Sequence, residues 1–161
     1  MANLLTAKKL HNMTQALFYL MPDNHNQMSA LDALHLAACR LAEQHYRQQK
    51  TVYIHCKDKQ QAYAIDELLW QFEPSAFVPH NLKGEGPMTG APVEIGFDTL
   101  GPNKSRQVLI NLADQMPSFA VNLPHIIDFV ANDDELKRIA RNRYRQYQRA
   151  GITPSTQALA E

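Results

Sequence analysis

A chain of 161 residues, 45% hydrophobic and 20% charged, has room for one domain with a buried core. Sixteen Lys and Arg balance sixteen Asp and Glu, which excludes a whole-molecule field that would steer the protein to nucleic acid or an anionic membrane. The N-terminal "MANLLTAKKLHNM" has no apolar run of signal-peptide length and no stretch is long and apolar enough to span a bilayer, so neither secretion nor a membrane partner is expected. Two isolated cysteines, Cys39 and Cys56, fit a reducing, cytoplasmic setting.

After a leader of residues 1–14, "QALFYL" (15–20) reads as a first strand, closed by the turn-rich "MPDNHN". Ser29 is placed to cap a helix whose apolar residues Leu31, Leu34, Ala38, Leu41 and Ala42 recur at helical spacing before a basic end. The run "TVYIHC" (51–56) has the character of a strand buried on both faces. Asp58 then caps "KQQAYAIDELLWQF", with Ala62, Ile65, Leu69 and Phe72 as its inner stripe. Strand and helix alternate here as in an α/β sheet with crossovers. "PVEIGF", "QVLINLA" and "HIIDFVA" follow with only loops between them, so antiparallel or mixed strands are expected to extend the sheet. In the last helix, Asn132 or Asp133 is the cap, acids fill the first turn and Gly151 ends it. "ITPSTQALAE" reads as a loose C-terminal tail over 152–161. The expected architecture is thus a single three-layer α/β domain over 15–151, with a mostly parallel or mixed sheet flanked by helices.

The stretch "FVPHNLKGEGPMTGAPVEI" (77–95) has the glycine density of a phosphate-binding loop without its chemistry. Such a loop ends in Lys and Ser or Thr and opens a helix, whereas here Pro87 and Pro92 remove amide donors, Glu85 adds negative charge, and a strand follows. A stiff loop with glycines at positive φ is the better reading. Seven dispersed histidines form no metal-ligand spacing, no nucleophile motif is present, and adjacent Asp66 and Glu67 do not converge on a helix. Neither a cofactor nor catalysis is expected.

The last helix carries Lys137, Arg138, Arg141, Arg143, Arg145 and Arg149 with no acid among them. Lys137, Arg141 and Tyr144 share one stripe at i, i+4 and i+7, beside an inner stripe of Leu136, Ile139, Ala140 and Tyr147. Arg offers a planar fork for a carboxylate, Lys a mobile charge, and Tyr an amphipathic wall, which suits an acidic peptide ending in an apolar residue. A solvated basic helix and a single-stranded nucleic-acid module are the alternatives. Trp70, the only tryptophan, is either core or interface by its position at a helix end; Phe77 follows it.

The segments "FYL" (18–20), "DKQQAYAIDELLW" (58–70), 77–95 and "DFVANDDELKRIARNRYRQYQRAG" (128–151) resemble, in this order, the chi subunit family of bacterial DNA polymerase III holoenzyme. That resemblance implies a fold like mononucleotide-binding proteins without a nucleotide site, in a non-catalytic clamp-loader accessory subunit used in DNA replication. It implies a heterodimer with the psi subunit through Trp70 and Phe77, a surface also linked to a repair helicase. It further implies that Val130, Lys137, Arg141 and Tyr144 bind the acidic C-terminal tail of single-stranded-DNA-binding protein, with no sequence-specific nucleic-acid contact. The leader of residues 1–14 and the tail over 152–161 lie outside the resemblance.

Overall fold

The computed structural model describes residues 14–23, 28–88 and 90–160. In chain order the elements are β1 (Gln15–Leu20), α1 (Ala30–Arg47), β2 (Val52–His55), α2 (Lys59–Gln71), β3 (His80–Leu82), β4 (Val93–Gly96), β5 (Val108–Asn111), a 3-10 turn (Ser118–Asn122), β6 (His125–Val130), α3 (Asp134–Arg149) and β7 (Pro154–Ala158). The strands make one sheet in the order β3-β4-β2-β5-β6-β1-β7, and every neighbouring pair is parallel.

Strand character follows position in that order. The central strands β2, β4 and β5 are buried at every residue, as mainly apolar strands covered on both faces are, and Glu94 within β4 is buried beside Arg106. Side chains alternate between the two faces. Ala38 and Leu41 of α1 and Ala62, Ile65 and Leu69 of α2 pack on Ile54, Ile95, Ile110 and Phe129. On the opposite face, Tyr147 of α3 and Phe119 of the 3-10 turn pack on Phe18, Tyr53, Leu109 and Ile126. The result is the expected three-layer α/β fold.

Each helix begins at a side-chain cap. Ser29 accepts from the Asp32 N–H at 3.0 Å, Asp58 from the Gln61 N–H at 2.8 Å, and Asp133, rather than Asn132, from the Leu136 N–H at 2.9 Å. Leu31, expected on the inner stripe of α1, is exposed instead, because the helix turns its Ala37 and Cys39 inward. Both cysteines are free and buried, and burial pushes the Cys39 thiol up to about 12.

Three expectations meet a different structure. The loop-linked segments β4, β5 and β6 join the sheet in parallel, so each connection runs back along the sheet to the end at which its neighbours begin, and that between β5 and β6 packs Phe119 on the sheet face as it does so. Within the glycine-rich stretch, "HNL" pairs with β4 at three residues as the edge strand β3. The supposed loose tail contains β7, registered on β1 from Ala16 opposite Pro154 to Leu20 opposite Ala158. The expected leader over residues 1–14 lies, apart from Thr14, outside the described residues.

The glycine-rich stretch is a stiff scaffold. Asn81 clasps it by donating to the carbonyls of Leu82 and Glu85 and accepting from the Ala91 N–H, all at 2.7 Å. Arg106, buried beside Glu94, donates to the Ala91 carbonyl at 2.6 Å. Gly90 lies against this pair at φ +73, where a Cβ would come within 2.7 Å of the guanidinium. The turn therefore supports the β4 entry.

Candidate functional site

The site begins with an acid inside an apolar strand. Asp128, fully buried in β6, faces α3 and receives both carboxylate contacts from Arg143 Nε, at 3.0 and 3.1 Å. The Tyr147 hydroxyl donates to Asp128 Oδ2 at 2.8 Å, the Asn111 amide donates at 3.2 Å, and the Phe129 N–H donates to Oδ1 at 2.7 Å. Arg143 also donates to the Phe129 carbonyl at 3.0 Å. Burial pushes the Asp128 carboxyl above its usual range while Arg143 opposes the shift. Burial likewise raises Tyr147, which therefore stays a protonated donor. A paired and hydrogen-bonded ion cluster of this kind tolerates little displacement, so it sets the rotation of α3 on the sheet.

That rotation decides which basic residues face outward. Arg143, one of the basic residues of this helix, belongs to the interior, drawn in by Asp128. Arg138 pairs with Glu135 on the surface. Lys137, Arg141 and Arg145 have no carboxylate within ion-pair distance among the described residues. The three instead line a cavity of about 440 Å³ between α3 and the β1–β7 end of the sheet.

Val130, Lys137, Arg141 and Tyr144 all line this cavity. Val130 ends β6, and Phe18 with Thr156 lies opposite it as a floor from β1 and β7. Tyr144 stands over Phe18, with ring centroids 5.3 Å apart, and its hydroxyl donates to the Pro154 carbonyl at 3.3 Å. The cavity thus joins an aromatic-lined apolar floor to a cationic mouth. Such a surface can hold an apolar side chain while charge-assisted hydrogen bonds engage an adjacent carboxylate. Sequence spacing did not single out Phe18 or Thr156. The alternation of β1 and the 18–156 register would have placed them there had β7 been recognised as a strand.

The second predicted surface lies at the other edge of the sheet. Trp70 at the end of α2 is 61% exposed, Phe77 is 68% exposed, and their ring centroids are 6.3 Å apart. The core alternative for Trp70 therefore does not hold. Its ring rests 4.6 Å from that of His80, whose side chain is buried. Both His80 ring nitrogens face backbone carbonyls, Val78 at 2.7 Å and Asp66 at 3.1 Å, which fixes the platform under the indole.

Among the described residues no three His, Cys, Asp or Glu side chains converge in the manner of a metal site, and no helix is long and apolar enough to cross a membrane.

Fold and surfaces together define a three-layer, all-parallel α/β domain with an amphipathic cavity at one sheet edge and exposed aromatics at the other. The same fold is found in T4 UvsW, with a TM-score of 0.57 at 10% identity, covering 91% of this chain and 41% of that one. The family model described as DNA polymerase III chi subunit, HolC, matches residues 13–155. The DNA polymerase III subunit chi of Escherichia coli is 42% identical over 144 residues, covering 89% of this chain and 97% of that protein. Its counterpart in Haemophilus influenzae is 44% identical over 120 residues, covering 74% and 83%. The chain belongs to the DNA polymerase III chi subunit family.

Proposed function

We propose that this protein is an accessory subunit of DNA polymerase III that connects partners in the cytoplasm and performs no catalysis itself. At the α3 cavity it binds the acidic C-terminal tail of single-stranded-DNA-binding protein. Arg141 receives the terminal carboxylate, Val130 and Tyr144 wall the apolar end residue, and Lys137 attracts acids upstream. The observation that carries this reading is the convergence of all four side chains on one opening whose cations have no carboxylate partner among the described residues. At the opposite edge, Trp70 and Phe77 form the psi-subunit surface, since two adjacent exposed aromatics on a fixed platform have the character of an interface hot spot.

The test is a calorimetric titration with an acidic peptide ending in Pro-Phe, beside the same peptide amidated at its C-terminus. Binding of the free acid with strong loss on amidation is expected. Equal binding of both would remove carboxylate recognition, and binding of neither would remove the tail site.

A further inference from the structure

The cavity is continuous with the free edge of the sheet. β7 ends the strand order, and among the described residues no strand pairs with its far side. In a parallel ladder the N–H and C=O of one residue point to the same side, and successive residues alternate. The Leu159 N–H donates to the Leu20 carbonyl at 3.0 Å, so Ser155, Gln157 and Leu159 face β1. Pro154, Thr156 and Ala158 therefore face away from it. Pro154 has no N–H, and its carbonyl is the one that Tyr144 caps. The first outward position is thus closed by the same tyrosine that walls the cavity, while Thr156 and Ala158 present a donor and an acceptor each. Protein edges are usually guarded by Lys, a bulge or a covering element. The sequence "PSTQA" has no charge to guard this one.

We infer that residues of the acidic tail upstream of its terminal residue add to β7 as an eighth strand, through the outward backbone groups of Thr156 and Ala158. The inference rests on the tail reading of the cavity. Thr156 is common to both features: its side chain lines the cavity and its backbone belongs to the edge. A peptide whose end is held over Phe18 therefore passes the edge within one residue's reach. Lys137, Arg141 and Arg145 stand along the same opening, so the added strand is favoured when it is acidic. The side chains anchor the end of the tail, and the strand pairing supplies main-chain recognition that does not depend on the identity of the upstream residues.

The experiment measures the affinity of the full chain for the free-acid peptide and for four versions, each N-methylated at one of the four residues on the N-terminal side of its Pro-Phe end. Alternate losses of about tenfold are expected, because only every second amide of an added strand faces β7. In parallel, Ala158→Pro removes an outward N–H without removing one bonded to β1. It should weaken the unmodified peptide about tenfold at an unchanged unfolding midpoint. Uniform affinity across the methylated peptides would overturn the strand addition while leaving the cavity reading intact. Failure of the unmodified peptide to bind would overturn both. A lowered unfolding midpoint in Ala158→Pro with a flat methylation series would place a segment of this chain on the edge, and a change in solution mass would place a second copy there; either result overturns the inference.

Discussion

Arg141 and Arg143 are two positions apart on one helix and do different work. Arg141 is exposed at the cavity mouth, and Arg141→Ala should weaken the tail peptide by about 2 kcal/mol, the scale of an interface hot spot, with the unfolding midpoint in urea unchanged. Arg143→Leu should instead lower stability by about 3–5 kcal/mol, read from the same urea transition, since it strands a buried carboxylate. Equal loss of stability in both variants would mean that the helix face has been misassigned. His55 makes a second residue-scale expectation. Buried against Phe119 with its Nδ1 unpartnered, it is pushed down to about 4 by desolvation, with Asp98 opposing. Between pH 4 and 6.5 the unfolded chain therefore binds more protons at this site than the folded one. Stability is fully present above pH 6.5 and falls as pH drops towards 4, by about 3 kcal/mol for a shift of this size. Urea midpoints across that range should lose most of this slope in His55→Gln, and an unchanged slope would assign it to other groups.

At the scale of elements, what the sequence reveals depends on how much of its surroundings each segment carries within itself. The helices were legible because Ser29, Asp58 and Asp133 cap them locally and their apolar stripes repeat at 3.6 residues. The central strands were legible from short runs rich in β-branched and other apolar residues. The two edge strands were not. "HNL" and "PSTQA" are short and polar, one face of an edge meets water, and Pro154 is tolerated only because it begins an edge. Periodicity also could not say that Arg143 turns inward, because its partner lies on β6. The available signal was Asp128 within "HIIDFV": a carboxylate in a buried strand requires a partner. The cavity was half legible for the same reason. Its α3 wall repeats along one helix, whereas its floor is made by strands far apart in sequence.

At the scale of the whole molecule, the two surfaces sit at opposite ends of a seven-stranded sheet. Six interstrand spacings of about 4.8 Å put the β3 and β7 edges roughly 30 Å apart. Partners at this separation need not compete, so a ternary complex should form with each affinity close to its binary value. In Trp70→Ala/Arg141→Ala, the loss for psi and the loss for the tail should each match that of the single variant to within about 0.5 kcal/mol. Calorimetric titration of the tail into the preformed psi complex checks the first statement, and titration of each partner into the single and double variants checks the second. Mutual exclusion would require a coupled movement that a fixed sheet between the sites does not provide.

The register of β7 on β1 has a consequence for the order of folding. Ala16 meets Pro154 across a loop of about 140 residues, a closure that is entropically costly and characteristic of late steps. The floor of the cavity joins these two strands, so its geometry is completed only when the most distant parts of the described chain have found each other. Tail binding is therefore a kinetic reporter: in refolding, the capacity to bind should appear after α1, α2 and the central strands have regained their structure, and chains stalled before that closure would be compact and unable to engage the tail.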